Sequence, residues 1–295
     1  MNVNTETTLC ISIAAKPGNF GANFHNSAYK QLNLNWVYLP RQVIGAANLE
    51  REINRVRALD IKGCSVSMPH KETVIQYLDD LDISAARIGA VNTILHNENG
   101  NLKGYNTDFY GAKKALENFK INRKEILMLG SGGVAKAVGL AVKELGGFLT
   151  IANRTYGRAK ELSEKLNAKV IPWKQISNSS GYLLVNATSV GMKSPNKMIV
   201  KEDVITNFSV VMDVVIYPAE TKLLRIAKET GKEVIPGTLM CVYQAAEQFK
   251  IYTGFDAPEK VIKLDFVDYV CRGEGEGALV DLANALEEGK DTSKI

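Results

Sequence analysis

The sequence predicts an α/β fold in two domains, and three observations lead there. The chain has 295 residues, more than one typical core serves. Strand-like and helix-like runs alternate along most of it, the pattern of a parallel sheet with helical crossovers. An apolar run, Leu127-Met128-Leu129, breaks into Gly130-Ser131-Gly132-Gly133 and passes at once into the helix-forming Val134-Ala135-Lys136-Ala137. That is the order of a strand, a tight turn and a helix N-terminus. A Rossmann dinucleotide-binding domain is therefore expected over 105–237. An N-terminal α/β substrate domain with a mainly parallel sheet is expected over 1–104, completed by 238–271, with a peripheral tail over 272–295.

In such a turn Gly130 allows the sharp bend and Gly132 lets the backbone approach a pyrophosphate. Ala135 is small enough for helix to pack on strand. The N–H groups from Ser131 to Val134 would face the phosphates. The next strand, Phe148-Leu149-Thr150-Ile151-Ala152, ends in Asn153-Arg154-Thr155, about twenty residues beyond the glycines, where the ribose is read. An acidic residue there would accept from a 2′-hydroxyl. This chain has Arg154, with Arg158 one turn later. A guanidinium suits a 2′-phosphate, so NADP is expected in preference to NAD. The bland alternative is a tight βα turn that binds nothing, with both arginines as solvated charges.

Composition narrows the partners. Apolar residues make up 45% and charged residues 23%, ordinary values for a globular chain. The net charge of +4 is small and its charges are interspersed, which argues against nucleic acid. No apolar run reaches the length of a membrane span, and Met1–Thr7 lacks the basic and apolar regions of a secretory signal. Cys10, Cys64, Cys241 and Cys271 have no C-x-x-C or metal-ligand spacing and are expected to be reduced thiols of a cytoplasmic protein. His25, His70 and His96 lie far apart, so no metal site is expected. The expected partner is a small molecule, and the expected state a monomer or homodimer.

The elements follow in order. Residues 7–15 read as a strand and 16–21 as a loop, with a helix from near Asn23 past Tyr29. Trp36–Leu39 is a second strand. Leu49, Ile53, Val56 and Leu59 have helical spacing. Cys64–Met68 is a third strand, and Pro69 opens a helix where its missing N–H is harmless. Ala90–Leu95 is a strand, followed by a turn at Glu98–Asn101. Gly104–Asp108 leads into a helix with Phe109, Ala112 and Leu116 on one face. Later strands fall at Tyr182–Asn186 and Val210–Val214, and a long helix follows Pro236-Gly237 with Val242, Ala245, Ala246 and Phe249. A short amphipathic helix is expected around Ala278–Ala283.

Lys71 and Asp108 both fall at expected helix starts after strands, the edge where open α/β sheets hold ligands. A Lys–Asp pair makes a positioned proton donor beside an alcohol or carbonyl. Alcohol oxidation by a nicotinamide needs one, because the alcohol loses a proton as its carbon loses hydride. Asn92 suits a substrate hydroxyl. Two bland readings stand beside these: Lys71 as a solvated charge, and Asp108 as the N-cap of its own helix.

Ordered blocks along residues 8–270 resemble the shikimate dehydrogenase family. They include Phe24-His25-Asn26, Ser67-Met68-Pro69-His70-Lys71, Ala90-Val91-Asn92-Thr93 and Gly104-Tyr105-Asn106-Thr107-Asp108. The resemblance continues through Gly130-Ser131-Gly132-Gly133, Asn153-Arg154-Thr155, Asn186-Ala187-Thr188-Ser189-Val190-Gly191-Met192 and Asp213-Val214-Val215-Ile216-Tyr217-Pro218. It closes with Gly237-Thr238-Leu239-Met240 and Gln244-Ala245-Ala246-Glu247-Gln248-Phe249. The resemblance implies that Lys71 and Asp108 are the catalytic pair, and that Asn92, Tyr217 and Gln244 contact substrate hydroxyl or carboxylate groups. Ser67 stands where the family usually has threonine and keeps the hydroxyl. Thr188, Met192, Gly237 and Met240 are implied on the cofactor side.

One departure bears on the substrate. The family's first loop carries Ser-x-Ser, whose hydroxyls bind a carboxylate; here the aligned residues are Asn19-Phe20-Gly21, followed by Ala22. Each lost hydrogen bond to a charged group is worth about 1.5–3 kcal/mol. The pattern therefore resembles the divergent shikimate dehydrogenase-like branch, with Asn19 and the Gly21 backbone left to meet the carboxylate. The expected function is NADP-dependent oxidation and reduction of shikimate/3-dehydroshikimate or a close analogue. The alternatives are a quinate or amino-shikimate type dehydrogenase, and a metabolite sensor without catalysis.

Overall fold

The computed structural model describes residues 3–192, 194 and 196–263. The expected tail over 272–295, the helix around Ala278–Ala283 and Cys271 lie outside the described residues. The first half contains β1 (Thr8–Ala14), α1 (Phe20–Gln31), β2 (Trp36–Gln42), α2 (Ala46–Ala58) and β3 (Gly63–Val66). It continues with β4 (Asp80–Leu81), α3 (Ile83–Ile88), β5 (Thr93–His96), β6 (Leu102–Tyr105) and α4 (Thr107–Glu117). The second half contains β7 (Glu125–Leu129), α5 (Gly133–Glu144), β8 (Phe148–Ala152), α6 (Tyr156–Leu166), β9 (Lys169–Val170) and β10 (Gly181–Asn186). Then come α7 (Glu202–Ile205), β11 (Phe208–Asp213), α8 (Lys222–Glu229), β12 (Glu233–Pro236), α9 (Gly237–Thr253) and α10 (Glu259–Ile262).

The strands form two sheets. The first has the order β2-β1-β3-β5-β6-β4; it is mainly parallel, with β5 running antiparallel to both neighbours. The second has the order β12-β11-β10-β7-β8-β9 and every neighbouring pair is parallel. The order reverses between β7 and β10, the crevice where a doubly wound sheet receives its ligand. This is the two-domain α/β class expected, with the Rossmann topology in the second sheet.

Both sheets are covered on both faces, as parallel strands require. On the first, Ile11, Ile13 and Val66 meet Leu49, Ile53 and Val56 of α2. On its other face Phe24 and Tyr29 of α1 pack with Tyr38, Phe249 and Tyr252. On the second sheet Met128, Ile151 and Val185 meet Val138 and Ala141 of α5, and Leu129, Leu184 and Val211 meet Leu223 and Leu224 of α8.

Three local expectations are corrected. Leu59, expected on the buried face of α2, is exposed. The Ile61 N–H bonds back to the Val56 carbonyl, a Schellman-type closure that turns Ile61 inward in its place. Helix α1 starts at Phe20, so Gly21 lies in its first turn instead of the loop. The segment after Pro69 is a turn followed by a 3₁₀ helix over Thr73–Tyr77. An α-helix there would need the Lys71 carbonyl to accept from Ile75, and the Val91 N–H takes it at 2.7 Å.

The halves are joined by α4, which packs on both α5 and α9. Gly111 makes the approach to α9 close. A Cβ there would lie 2.5 Å from the Met240 carbonyl oxygen and 2.9 Å from the Gln244 backbone nitrogen. Gly111→Ala is therefore expected to destabilise the protein by about 1–3 kcal/mol, the usual cost of overpacking, despite alanine's better helix propensity. Denaturant unfolding checks it, and a variant as stable as the parent contradicts the packing.

At the end of β11 the buried Asp213 carboxylate accepts from Asn186 Nδ2 at 3.0 Å, Val215 N at 3.0 Å and Thr221 Oγ1 at 2.7 Å. Burial pushes its carboxyl up to about 6, against those three bonds. The folded state thus holds this proton more tightly than the unfolded chain. The stability gained is full below about pH 4 and is lost as pH rises through about 6. Asp213→Asn removes the titration, so its stability relative to the parent should rise between about pH 4 and 7, by up to about 3 kcal/mol. A difference independent of pH contradicts this.

Candidate active site

The first sheet gathers its functional candidates at one edge. In register, Ala14 of β1 lies beside Gln42, Ile13 beside Val66, Ser65 beside Thr93, and Thr93 beside Tyr105. The segments that leave this edge are 15–21, 67–71 and 106–108, and Asn92 enters at the same end. Asn92 is pinned there by its own backbone, with its N–H on the Tyr105 carbonyl and its carbonyl accepting from Val66.

Lys71 Nζ donates to Asp108 Oδ2 at 2.5 Å, with the two side chains 19% and 12% exposed. Both are largely screened from water yet keep part of their surface accessible. Asp108 does not cap its helix: Asn106 is the N-cap, and its side chain accepts from the Phe109 N–H. The Asp108 carboxylate is thereby left for other groups. Its Oδ1 accepts from Asn92 Nδ2 at 3.0 Å, and the same amide approaches Gln244 Oε1 at 3.4 Å. Lys71, Asp108, Asn92 and Gln244 thus form one connected cluster drawn from both ends of the chain.

The remaining candidates sit around it. Ser67 is exposed at the end of β3, and its hydroxyl has no partner among the described residues. Asn19 is exposed and stands at the N-cap of α1 without a side-chain cap bond, so its carboxamide is uncommitted. At Gly21 a Cβ would come within 3.2 Å of the Tyr38 hydroxyl, which itself donates to Ser65 Oγ at 2.6 Å. Tyr217 is half exposed in the loop after β11, with no hydrogen bond to the cluster. His25 is not a base for this site: burial pushes it down to about 3, and its ring stacks on Tyr38 with centroids 4.5 Å apart. His70 Nε2 is spent on the Val43 carbonyl at 2.8 Å.

The second sheet lines up its strand ends in the same way. Ala152, Leu129, Asn186, Asp213 and Pro236 are successive partners in register. The residues just beyond them, Gly130, Asn153-Arg154, Thr188 and Gly237, therefore share one edge. Gly130 has φ +118° and sits against the Ala187 carbonyl, so only glycine fits the bend. Gly132 is the N-cap of α5, with no side-chain cap bond and no acid in the first turn. Cβ atoms at Gly132 and Gly133 would meet nothing within 4 Å. Open N–H groups with clear space before them fit a pyrophosphate. Arg154, Thr155 and Arg158 are exposed, and neither guanidinium has an ion-pair partner among the described residues, which fits a 2′-phosphate. Ala135 is fully buried on the sheet. Met192 is half buried, and Met240 is buried in the core beside α4 and α5. Lys136 of α5 reaches across to Glu72, next to Lys71, at 2.6 Å, so the phosphate edge and the Lys71 turn are tied together.

Sequence reasoning missed Thr93, Thr107 and Gln248, all buried and all bonded to the cluster. Gln248 lies four residues from Gln244 on α9, the spacing that puts both on one helix face.

Comparison with known proteins places these features in a family. Three models match: the shikimate dehydrogenase substrate binding domain at residues 20–94, shikimate / quinate 5-dehydrogenase at 111–211, and the shikimate 5'-dehydrogenase C-terminal domain at 237–263. A shikimate dehydrogenase-like protein of Haemophilus influenzae is 40% identical over 257 residues, covering 85% of this chain and 92% of that one. The shikimate dehydrogenase (NADP(+)) of Pyrococcus furiosus is 39% identical over 248 residues, covering 81% and 87%. A solved shikimate dehydrogenase in complex with NADP+ matches with a TM-score of 0.82 at 36% identity, covering 91% of this chain and 98% of its own. The chain belongs to the shikimate dehydrogenase family of oxidoreductases.

Proposed function

We propose that the protein catalyses the NADP-dependent interconversion of a ring hydroxyl and its ketone on shikimate or a close cyclohexene carboxylate. The observation that carries this reading is the Lys71–Asp108 pair at 2.5 Å, partly accessible and flanked by the Asn92 and Gln244 carboxamides. When bound, NADP supplies or accepts the hydride. The chain's own groups manage the proton. Lys71 Nζ takes it from the hydroxyl in oxidation and returns it in reduction, while Asp108 stabilises the ammonium and aims it. Arg154 and Arg158 hold the 2′-phosphate, and the α5 N-terminus holds the pyrophosphate. Ser67, Asn19 and Tyr217 supply the remaining polar contacts to the substrate.

A second reading, a different ring substituent at the carboxylate end, is favoured by one observation. With no side chain at Gly21 and the Tyr38 phenol 3.2–3.5 Å from where its Cβ would stand, a hydroxyl side chain cannot be added there without moving Tyr38. Shikimate turnover is therefore expected to be measurable but weak. A panel of cyclohexane and cyclohexene carboxylates, quinate and amino-shikimate included, identifies the preferred ring. No turnover of any of them, with calorimetric binding retained, would make the protein a sensor.

Two outcomes test the residue roles. Lys71→Ala should lose a factor of about 10²–10⁴ in kcat, the range of general acid–base catalysis, while NADP binding is kept; retained turnover removes Lys71 from the chemistry. Arg154→Ala should weaken NADPH binding by about tenfold to a hundredfold, as expected for a lost hydrogen bond to a charged group. NADH binding should hardly change, and an equal loss for both contradicts the 2′-phosphate role.

A further inference from the structure

We propose that Thr93 and Gln248 are positioning residues that set the direction of the Asn92 carboxamide, and through it the Asp108 carboxylate that steadies Lys71. This rests on the reading of Lys71 and Asp108 as the proton-transfer pair.

The direction of Asn92 follows from its partners. Its Oδ1 lies 2.7 Å from the Thr107 backbone N–H, which can only donate. The oxygen must therefore occupy that side, and the NH2 group must face Asp108. A flipped amide would set N–H against N–H. Thr93 Oγ1 adds a second bond to the same oxygen at 2.9 Å, filling both lone pairs of the carbonyl. The Thr107 hydroxyl lies 3.1 Å from that oxygen and 3.3 Å from Gln244 Oε1; with the Asn92 oxygen already taking two closer donors, it serves Gln244.

Thr93 has one hydroxyl hydrogen, and Gln248 limits where it points. Gln248 Nε2 lies 3.3 Å from the Asn92 backbone carbonyl, which can only accept, and 3.0 Å from Thr93 Oγ1. It therefore donates to Thr93, whose own hydrogen is left with the Asn92 oxygen at 2.9 Å or the Thr107 hydroxyl at 3.1 Å, and the closer, amide acceptor is Asn92. The far end of Gln248 is held in turn: its Oε1 accepts from Ser65 Oγ at 3.1 Å and faces His25 Nε2 at 3.4 Å. Among the described residues His25 Nδ1 has no partner, as expected of a neutral ring with its hydrogen on Nε2. The result is a chain of donors all pointing one way, from His25 through Gln248, Thr93 and Asn92 to Asp108. Its interior members are buried: Gln248 is 4% exposed, Thr93 0% and Asn92 2%. In such surroundings aligned hydrogen bonds strengthen one another. The Asp108 carboxylate receives the last of them on Oδ1 and Lys71 on Oδ2, so it cannot rotate away from the ammonium without breaking both.

The test compares Thr93→Val, which keeps the shape and removes the hydroxyl, with Thr93→Ser, which keeps the hydroxyl. Gln248→Met, similar in volume, gives a second route if the valine variant fails to fold. Two quantities are read: kcat and KM on the best substrate of the panel, and the carboxamide 15N–1H signals of Asn92, assigned by their loss in Asn92→Asp. Thr93→Val should lower kcat at least tenfold with KM within threefold, and should move the Asn92 signals. Thr93→Ser should restore both, and Gln248→Met should give the same pattern with a smaller loss. A folded variant with unchanged kcat overturns the proposal. So does a fall in kcat without movement of the carboxamide signals, because the loss then does not pass through Asn92. The spectroscopic arm needs no substrate. If the parent protein turns over nothing in the panel, the functional reading falls and the Asn92 signals alone decide the positioning.

Discussion

The contact between α4 and α9 is the constraint from which the rest follows. Gly111 lets the two backbones meet where any side chain would collide with the Met240 carbonyl. That contact brings Asp108, at the start of α4, beside Gln244, more than a hundred residues later in the chain. It also anchors the first sheet to the second, because α4 packs on α5 with its other side. The two ligand-facing sheet edges owe their relation to this helix pair and to the Lys136–Glu72 bridge beside it. The bridge itself adds little stability, since the Glu72 side chain is 61% exposed and exposed pairs are worth about 0–1 kcal/mol. Its position matters more than its energy.

Within the site, charge is organised by neutral groups. The only formal charges in the cluster are Lys71 and Asp108, and carboxamides and hydroxyls surround them. An ion pair held this way keeps its ammonium near one place while leaving a face open to a substrate oxygen. For the proposed proton transfer, preorganisation of this kind is effective because no dipole would need to turn. The substrate-facing loop contrasts with it. Asn19 has an uncommitted amide and Gly21 no side chain, so the end proposed to meet the carboxylate is less built than the Lys71–Asp108 end.

Much of this was legible in the sequence, for identifiable reasons. The Rossmann turn reads clearly because Gly130 is fixed by local geometry, a positive φ against a neighbouring strand. The pairing of Lys71 with Asp108 came through the resemblance and the strand-end rule, and the ion pair joins those two residues. The misreadings were non-local. Nothing near Lys71 in sequence forbids a helix after Pro69; the group that does, the Val91 N–H, is twenty residues away. Asp108 had two readings until Asn106 proved to be the cap. Leu59 had the right spacing for the core but falls past the end of α2, where the chain turns Ile61 in instead. Gln248 carried a signal in its spacing from Gln244, but its partners, Thr93 and Ser65, lie on distant strands.

The central claim is that the reacting hydroxyl, and not the carboxylate, meets Lys71. A crystal structure of the ternary complex with NADP and the preferred ring acid tests it most directly. A ring hydroxyl oxygen is expected within about 2.6–3.2 Å of Lys71 Nζ, the reach required of a proton-transfer group, with the carboxylate turned toward Asn19 and Ser67. A carboxylate seated on Lys71, or a ring bound with no oxygen near it, would contradict the account.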